Sequence, residues 1–199
     1  MTSGFGAQMD DTKQQGAALA EGLYWMAERF MWGDEDTPKD PVEALKLYRQ
    51  AADLGFSDAH IRLGELHEHG KGVAQNAAEA LASYQRAAEA GNFLANAFIA
   101  LLLARTNHAE KAGRFWGRFF SRLRDDPNPG FLAESVGGLI HSYIRAQLRI
   151  GADPEHLDLI RDHWREVVSY HQRVLEHAHS DEALDQLERV GNWLVRHLR

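Results

Sequence analysis

The chain has 199 residues, 44% of them hydrophobic, with 22 basic against 29 acidic side chains for a formal charge of −7, and no cysteine. This suits one domain or one elongated array with a real core, and it excludes disulfides and thiolate chemistry. A chain of that charge is not built as a whole to hold nucleic acid or an anionic membrane.

Residues 1–10 are expected to be loose. The opening MTSGFGAQMDDTKQQG has neither the basic nor the apolar segment of a secretory signal, so a cytoplasmic location is the simplest expectation. Helices are predicted at 12–32, 41–54, 57–69, 77–90, 93–105, 108–124, 131–149, 154–178 and 181–198 from the apolar period. The prolines, at 38, 41, 127, 129 and 154, all fall at loops or helix entrances, and no strand pattern competes. The apolar run at 93–104 is too short to span a bilayer and reads as a buried helix.

Residues 40–55, DPVEALKLYRQAADLG, return 36 positions later as NAAEALASYQRAAEAG. Asp40 and Asn76 stand at N-cap positions with Glu43 and Glu79 three residues on, a capping-box pattern, and Gly55 and Gly91 close the helices. Tyr48 and Tyr84, flanked by small alanines, are the large packing elements. The preceding helices repeat too, since Gly22, Met26, Ala27 and Phe30 match Ala59, Leu63, Gly64 and His67 at an offset of 37, which gives the first unit one extra loop residue. Two helices per 36 residues indicate a helical solenoid. A third unit is degenerate: Ala95, Ile99 and Ala100 continue the pattern. Asn107 with Glu110 then reads as a third cap 31 residues after Asn76, and Phe115 stands in for Tyr84. In that register Arg118–Phe119 replaces the small pair Ala87–Ala88, so the array is expected to stop or bend there.

Ala59, Leu63-Gly64, Gly70-Lys71-Gly72-Val73, Asn76, Ala80, Tyr84, Ala87-Ala88 and Gly91 resemble the Sel-one-like repeat, a relative of the tetratricopeptide repeat. The likeness covers roughly 20–124; the first unit lacks Leu-Gly and Gly-x-Gly-Val, and His67 stands where an aromatic is usual. It implies an all-α fold, a short right-handed α-solenoid over 11–124 capped by non-repeat helices at 125–199. It also implies a non-catalytic adaptor with a protein or peptide partner. Apolar faces at Leu132–Tyr143, Leu157–Leu175 and Leu184–Leu198 mark the capping helices, which offer an alternative surface for dimerisation or for neutralising an effector.

In superhelical arrays the first helix of each unit commonly lines the concave side. Its free positions here are Tyr24, Trp25, Glu28 and Trp32 in the first unit and Ile61, Arg62, Glu65 and His69 in the second. The third contributes Ala97, Phe98, Leu101 and Arg105. Aromatics beside arginine and glutamate have the composition of an interface hot spot, and packing inside the array is the competing explanation. A second surface is the basic stripe Lys111, Arg114, Arg118 and Arg122, opposite Phe115, Trp116, Phe119, Phe120 and Leu123. The third reading, an enzyme, has little support. His67-Glu68-His69 and the pair His177/His179 diverge on a helix, and His156 and His163 lack matching acids. Gly70-Lys71-Gly72 follows a helix, and Ser135 lacks the Gly-x-Ser-x-Gly frame. No cofactor, metal or nucleic acid is expected.

Overall fold

The computed structural model describes residues 4–124 and positions 138, 139, 142, 143, 145, 146 and 149, with side chains from Gln14 onward. The described residues form six α-helices and no strand: α1 Gly4–Trp32, α2 Pro41–Asp53, α3 Ser57–His69, α4 Ala77–Glu89, α5 Ala95–Arg105 and α6 Ala109–Arg124. These follow the predicted helices within two residues except at α1. There the helix starts at Gly4 rather than 12, so residues 4–10, expected to be loose, are helical; no proline or strong turn signal interrupts them. The helices predicted beyond 149, and their capping or dimerising faces, lie outside the described residues. So do the three C-terminal features Ser135, His156/His163 and His177/His179.

The chain forms two compact units, Met1–Ala95 and Asn96–Arg199.

In the first unit α1 pairs with α2, α2 with α3, and α3 with α4. Tyr48 and Tyr84 are fully buried at the centres of the two pairs. A β-carbon on Gly64 would fall inside the Tyr84 ring, so the Leu-Gly step exists to let α4's tyrosine lie flat on α3. The first pair has Ala27 in that place, fully buried. Gly72, at φ +72°, passes so close to the preceding unit that a β-carbon would meet the Pro41 carbonyl oxygen at 2.6 Å. Only glycine fits both that conformation and that gap.

Caps form as the sequence suggested, with one change. The Asp40 carboxylate accepts from the backbone N–H of Val42 at 3.0 Å and Glu43 at 3.1 Å, and Asn76 Oδ1 accepts from Ala78 at 3.0 Å and Glu79 at 3.2 Å. The reciprocal arm is absent from both boxes, because each cap residue's own backbone N–H is already donated elsewhere, and Glu43 holds Lys46 at 2.7 Å. The cap backbone N–H reaches the preceding helix: Asp40 donates to the Phe30 carbonyl at 2.7 Å and Asn76 to that of His67 at 2.8 Å. These two bonds sit at equivalent positions and tie each helix pair across its loop.

The second unit corrects the third cap. Asn107 has φ +64° and ends α5; its N–H donates to the Ala104 carbonyl and that of His108 to Leu103. The same pair of bonds is made by Gly55 with Phe56 and by Gly91 with Asn92, so Asn107 replaces the terminating glycine, as its short amide permits. His108 takes the cap position, its carbonyl accepting from Ala112 N–H as that of Asn76 does from Ala80. The register offset is therefore 32, not 31. Ala112, Trp116 and Phe119 stand where Ala80, Tyr84 and Ala87 stand, all six fully buried. Trp116 stacks on Tyr143 with ring centres 4.1 Å apart at 10°.

Candidate functional site

The first unit concentrates its unusual side chains along one stripe of α1 and the α3 surface beside it. Trp25 and Trp32 are seven residues apart, two helical turns on one face. They are 58% and 61% exposed, unusual for side chains of that apolar area. Each indole is held by a glutamate one turn earlier: Trp25 Nε1 donates to Glu21 at 3.4 Å, and Trp32 Nε1 to Glu28 at 3.1 Å. Trp25 also meets the Tyr24 ring edge-on at 5.3 Å, and the Lys71 ammonium sits over Trp32, 5.6 Å from the ring centre. Both rings are thus oriented while more than half of their surface stays exposed.

Beneath the stripe lies an ionic network. Glu28 accepts from the Tyr48 hydroxyl at 2.6 Å and faces Arg62 Nε at 2.7 Å. Arg62 continues to Glu65 at 2.8 Å and donates to the Tyr24 hydroxyl at 3.3 Å. Burial opposes the charge of Arg62, but Glu65 and Glu28 outweigh it and keep the guanidinium protonated beyond its ordinary range. Burial, followed by the hydrogen bond to Glu28, raises the Tyr48 phenol far above its usual value; burial also raises Tyr24. In the second helix pair Tyr84 donates instead to Glu68, at 2.8 Å in the interior. Glu28, Trp32, Arg62, Glu65, His69 and Lys71 line one cleft of about 150 Å³, floored by Met31, Tyr48 and Leu66.

The predicted site residues separate accordingly. Glu28, Trp32, Arg62, Glu65 and His69 come together at the cleft, and Trp25 stands two turns before Trp32 on the same face of α1. Tyr24 and Ile61, each 8% exposed, are core side chains, because their helix positions point at neighbouring helices rather than outward. Phe98, half-buried, and Arg105, exposed, lie in the second unit, where Leu101 and Ala97 are buried. Lys111, Arg114, Arg118 and Arg122 are all exposed on α6 opposite the buried Trp116, Phe119, Phe120 and Leu123; Arg114 pairs with Glu110, and Arg118 lies over Phe115 at 5.1 Å. Sequence reasoning missed Lys71 as a partner of Trp32, and it missed the glutamates that hold the indoles. The i, i+4 spacing of Glu21/Trp25 and Glu28/Trp32 was the available signal. Among the described residues no cluster of three or more His, Asp or Glu side chains is arranged to hold a metal, and no helix is long and apolar enough to cross a membrane.

The Sel1 repeat family model matches residues 20–56 and 57–92, the two helix pairs of the first unit. Residues 20–92 carry two Sel1 repeats. Proteins of this family are typically interaction scaffolds and generally non-catalytic. Among solved structures, the chain is similar to a Sel1 repeat protein from Oxalobacter formigenes, at 23% identity and a TM-score of 0.55, covering 84% of this chain and 61% of that one. It therefore spans less than two thirds of that protein's length. A protective antigen of uropathogenic Escherichia coli with an SLR fold matches at 17% identity and a TM-score of 0.48, covering 90% of this chain and 46% of that one. A search of the curated proteins gave no match. The likeness to the Oxalobacter protein is one of fold.

Proposed function

We propose that the chain is a non-catalytic adaptor that binds a protein or peptide on the face lined by the first helices of its Sel1 repeats, with Trp25 and Trp32 as anchors. The observation that carries this reading is the pair of exposed indoles, each pinned by a glutamate on its own helix. Tryptophan is enriched among residues that dominate binding energy, and a ring already held in place loses less conformational freedom on binding. The adjoining cleft adds Lys71, His69 and Glu65 as polar contacts at its rim. Arg62 serves to hold the site: its donors go to Glu28, Glu65 and Tyr24, so the surface is tested by variants that spare it.

The test is capture of partners from native lysate by the wild type and by Trp25→Ala/Trp32→Ala, followed by titration of the recovered partner. Both rings are exposed, so the variant is expected to stay folded. Binding at least about tenfold weaker supports the assignment. Equal recovery of the same partners by the folded variant removes it.

A further inference from the structure

The two helix pairs differ along the outer side of α1. By the 37-residue offset, Leu19, Gly22, Met26 and Arg29 correspond to Phe56, Ala59, Leu63 and Leu66 at the head of and along α3. The last three of these are buried in one core with Ala51 and Ala52 of α2, and Phe56 packs against it. On α1 all four counterparts are exposed, Leu19 by 57% and Met26 by 50%. A face that the fold closes with a neighbouring helix in the second pair is thus open in the first. The end of a repeat array is kept soluble by a polar outer face, yet this one sets two aliphatic chains beside two exposed indoles.

The order of side chains along α1 indicates what fits there. Ala18, Gly22, Trp25, Arg29 and Trp32, all exposed, succeed one another at steps of four and three, the seam spacing of paired helices. Small residues fill the first half and large ones the second, so the seam fits its own reverse. With Trp25 set on Gly22 of an antiparallel second copy, Arg29 falls on Ala18 and Trp32 on Gln15, and each pairing occurs twice. A β-carbon on Gly22 would meet nothing within 4 Å, which leaves room for an indole. Leu19 and Met26 run along one edge of the seam and would meet their own counterparts. Along the other edge, Glu21 and Glu28 accept from the indole N–H groups, and Glu28 also from Tyr48 while facing Arg62. Arg29 pairs with Asp34 at 2.6 Å, so its aliphatic stem rather than its charge would be covered. A further repeat would suit the face less well, because it would bury arginine where α3 buries Leu66.

We propose that α1 is the contact surface of a homodimer, two copies packed antiparallel along this seam about a twofold axis. The proposal rests on the reading of Trp25 and Trp32 as anchors and names a second copy of the chain as a partner they hold. Leu19, Trp25, Met26 and Trp32 together expose on the order of 400 Å² of apolar surface. A standard interface covers roughly 800 Å² per partner, so the dimer is a reversible one.

Sedimentation equilibrium of the full chain over a range of protein concentrations tests this, with a reversible monomer–dimer equilibrium as the expected result. Gly22→Gln replaces an open helical glycine and should leave the monomer at least as stable. By filling the space for the second copy's indole it should weaken the dimer at least about tenfold, as should Trp25→Ala/Trp32→Ala. Val42→Gln, at an apolar side chain 52% exposed on α2, should leave the dimer unchanged. Because the chain has no cysteine, a spin label on Gln14→Cys reports orientation: the two labelled backbone positions should lie about 30 Å apart, against about 10 Å in a parallel pair. A monomer at every concentration, a dimer that Gly22→Gln leaves intact, equal weakening by Val42→Gln, or the short distance overturns the proposal. A monomeric wild type whose tryptophan variant loses a lysate partner ends this inference alone. The anchor reading itself fails when the tryptophan variant keeps both the dimer and every lysate partner.

Discussion

Glu28→Ala should cost about 2–4 kcal/mol of stability, from three effects of different size. The main loss is at Tyr48, whose side chain is fully buried and whose hydroxyl donates to Glu28 at 2.6 Å. Leaving a buried hydroxyl unpaired costs about 1–3 kcal/mol. Arg62 also loses a carboxylate at 2.7 Å, but its side chain is 35% exposed and it keeps Glu65, so this adds about 1 kcal/mol. The Trp32 N–H, on an exposed ring, exchanges Glu28 for water at little cost. Glu28→Gln retains an acceptor for Tyr48 and should lose only about 1–2 kcal/mol. Urea unfolding followed by circular dichroism measures both, read as a shift in midpoint at unchanged slope. In a double-mutant cycle with Tyr48→Phe, the coupling should reach about 1 kcal/mol. A loss below about 0.5 kcal/mol for Glu28→Ala, the range of ordinary surface changes, would refute the network as a support of the fold.

Gly64→Ala should destabilise by about 1–3 kcal/mol, because its β-carbon would enter the Tyr84 ring; the same change at Gly22, where a β-carbon meets nothing within 4 Å, should be neutral or slightly stabilising in a thermal melt. Asp40→Ala and Asn76→Ala should each cost about 1 kcal/mol by denaturant titration, since each removes an acceptor serving two helix N–H groups. Tyr24 and Tyr48 should titrate late in alkaline ultraviolet difference spectra, beyond the ordinary phenol value of 10.0. Their folded pKa values are raised, so the stability they contribute is complete below that pH and is lost as pH rises above it. Phenolate appearing from both at the ordinary pH while the protein stays folded would contradict the burial described.

The repeated words of the sequence specified most of the first unit. Capping residues, terminal glycines and the two tyrosines all act locally or between adjacent helices, so spacing alone reveals them. Glu43 shows the limit, because the cap N–H it would reach is donated to the Phe30 carbonyl of the preceding helix, a contact between helices that local spacing does not reveal. The register of the third helix pair went wrong at a single residue. Phe115 and Trp116 are both aromatic, and only packing shows that Ala112, Trp116 and Phe119 reproduce the spacing of Ala80, Tyr84 and Ala87. In the candidate site the sequence brought forward a set of helix positions but could not separate Tyr24 and Ile61, which are buried, from Trp25 and Trp32, which are exposed. Adjacent positions on a helix differ by about 100°, so a small error in helix orientation exchanges core for surface.

The central claim is that Trp25 and Trp32 anchor a protein partner on the Sel1 repeats. It is tested most directly by the dissociation constant of the partner recovered with the wild type, measured against Trp25→Ala/Trp32→Ala of verified fold. The account predicts binding weakened at least about tenfold, with unfolding midpoints close to wild type. An unchanged dissociation constant would place recognition elsewhere on the chain.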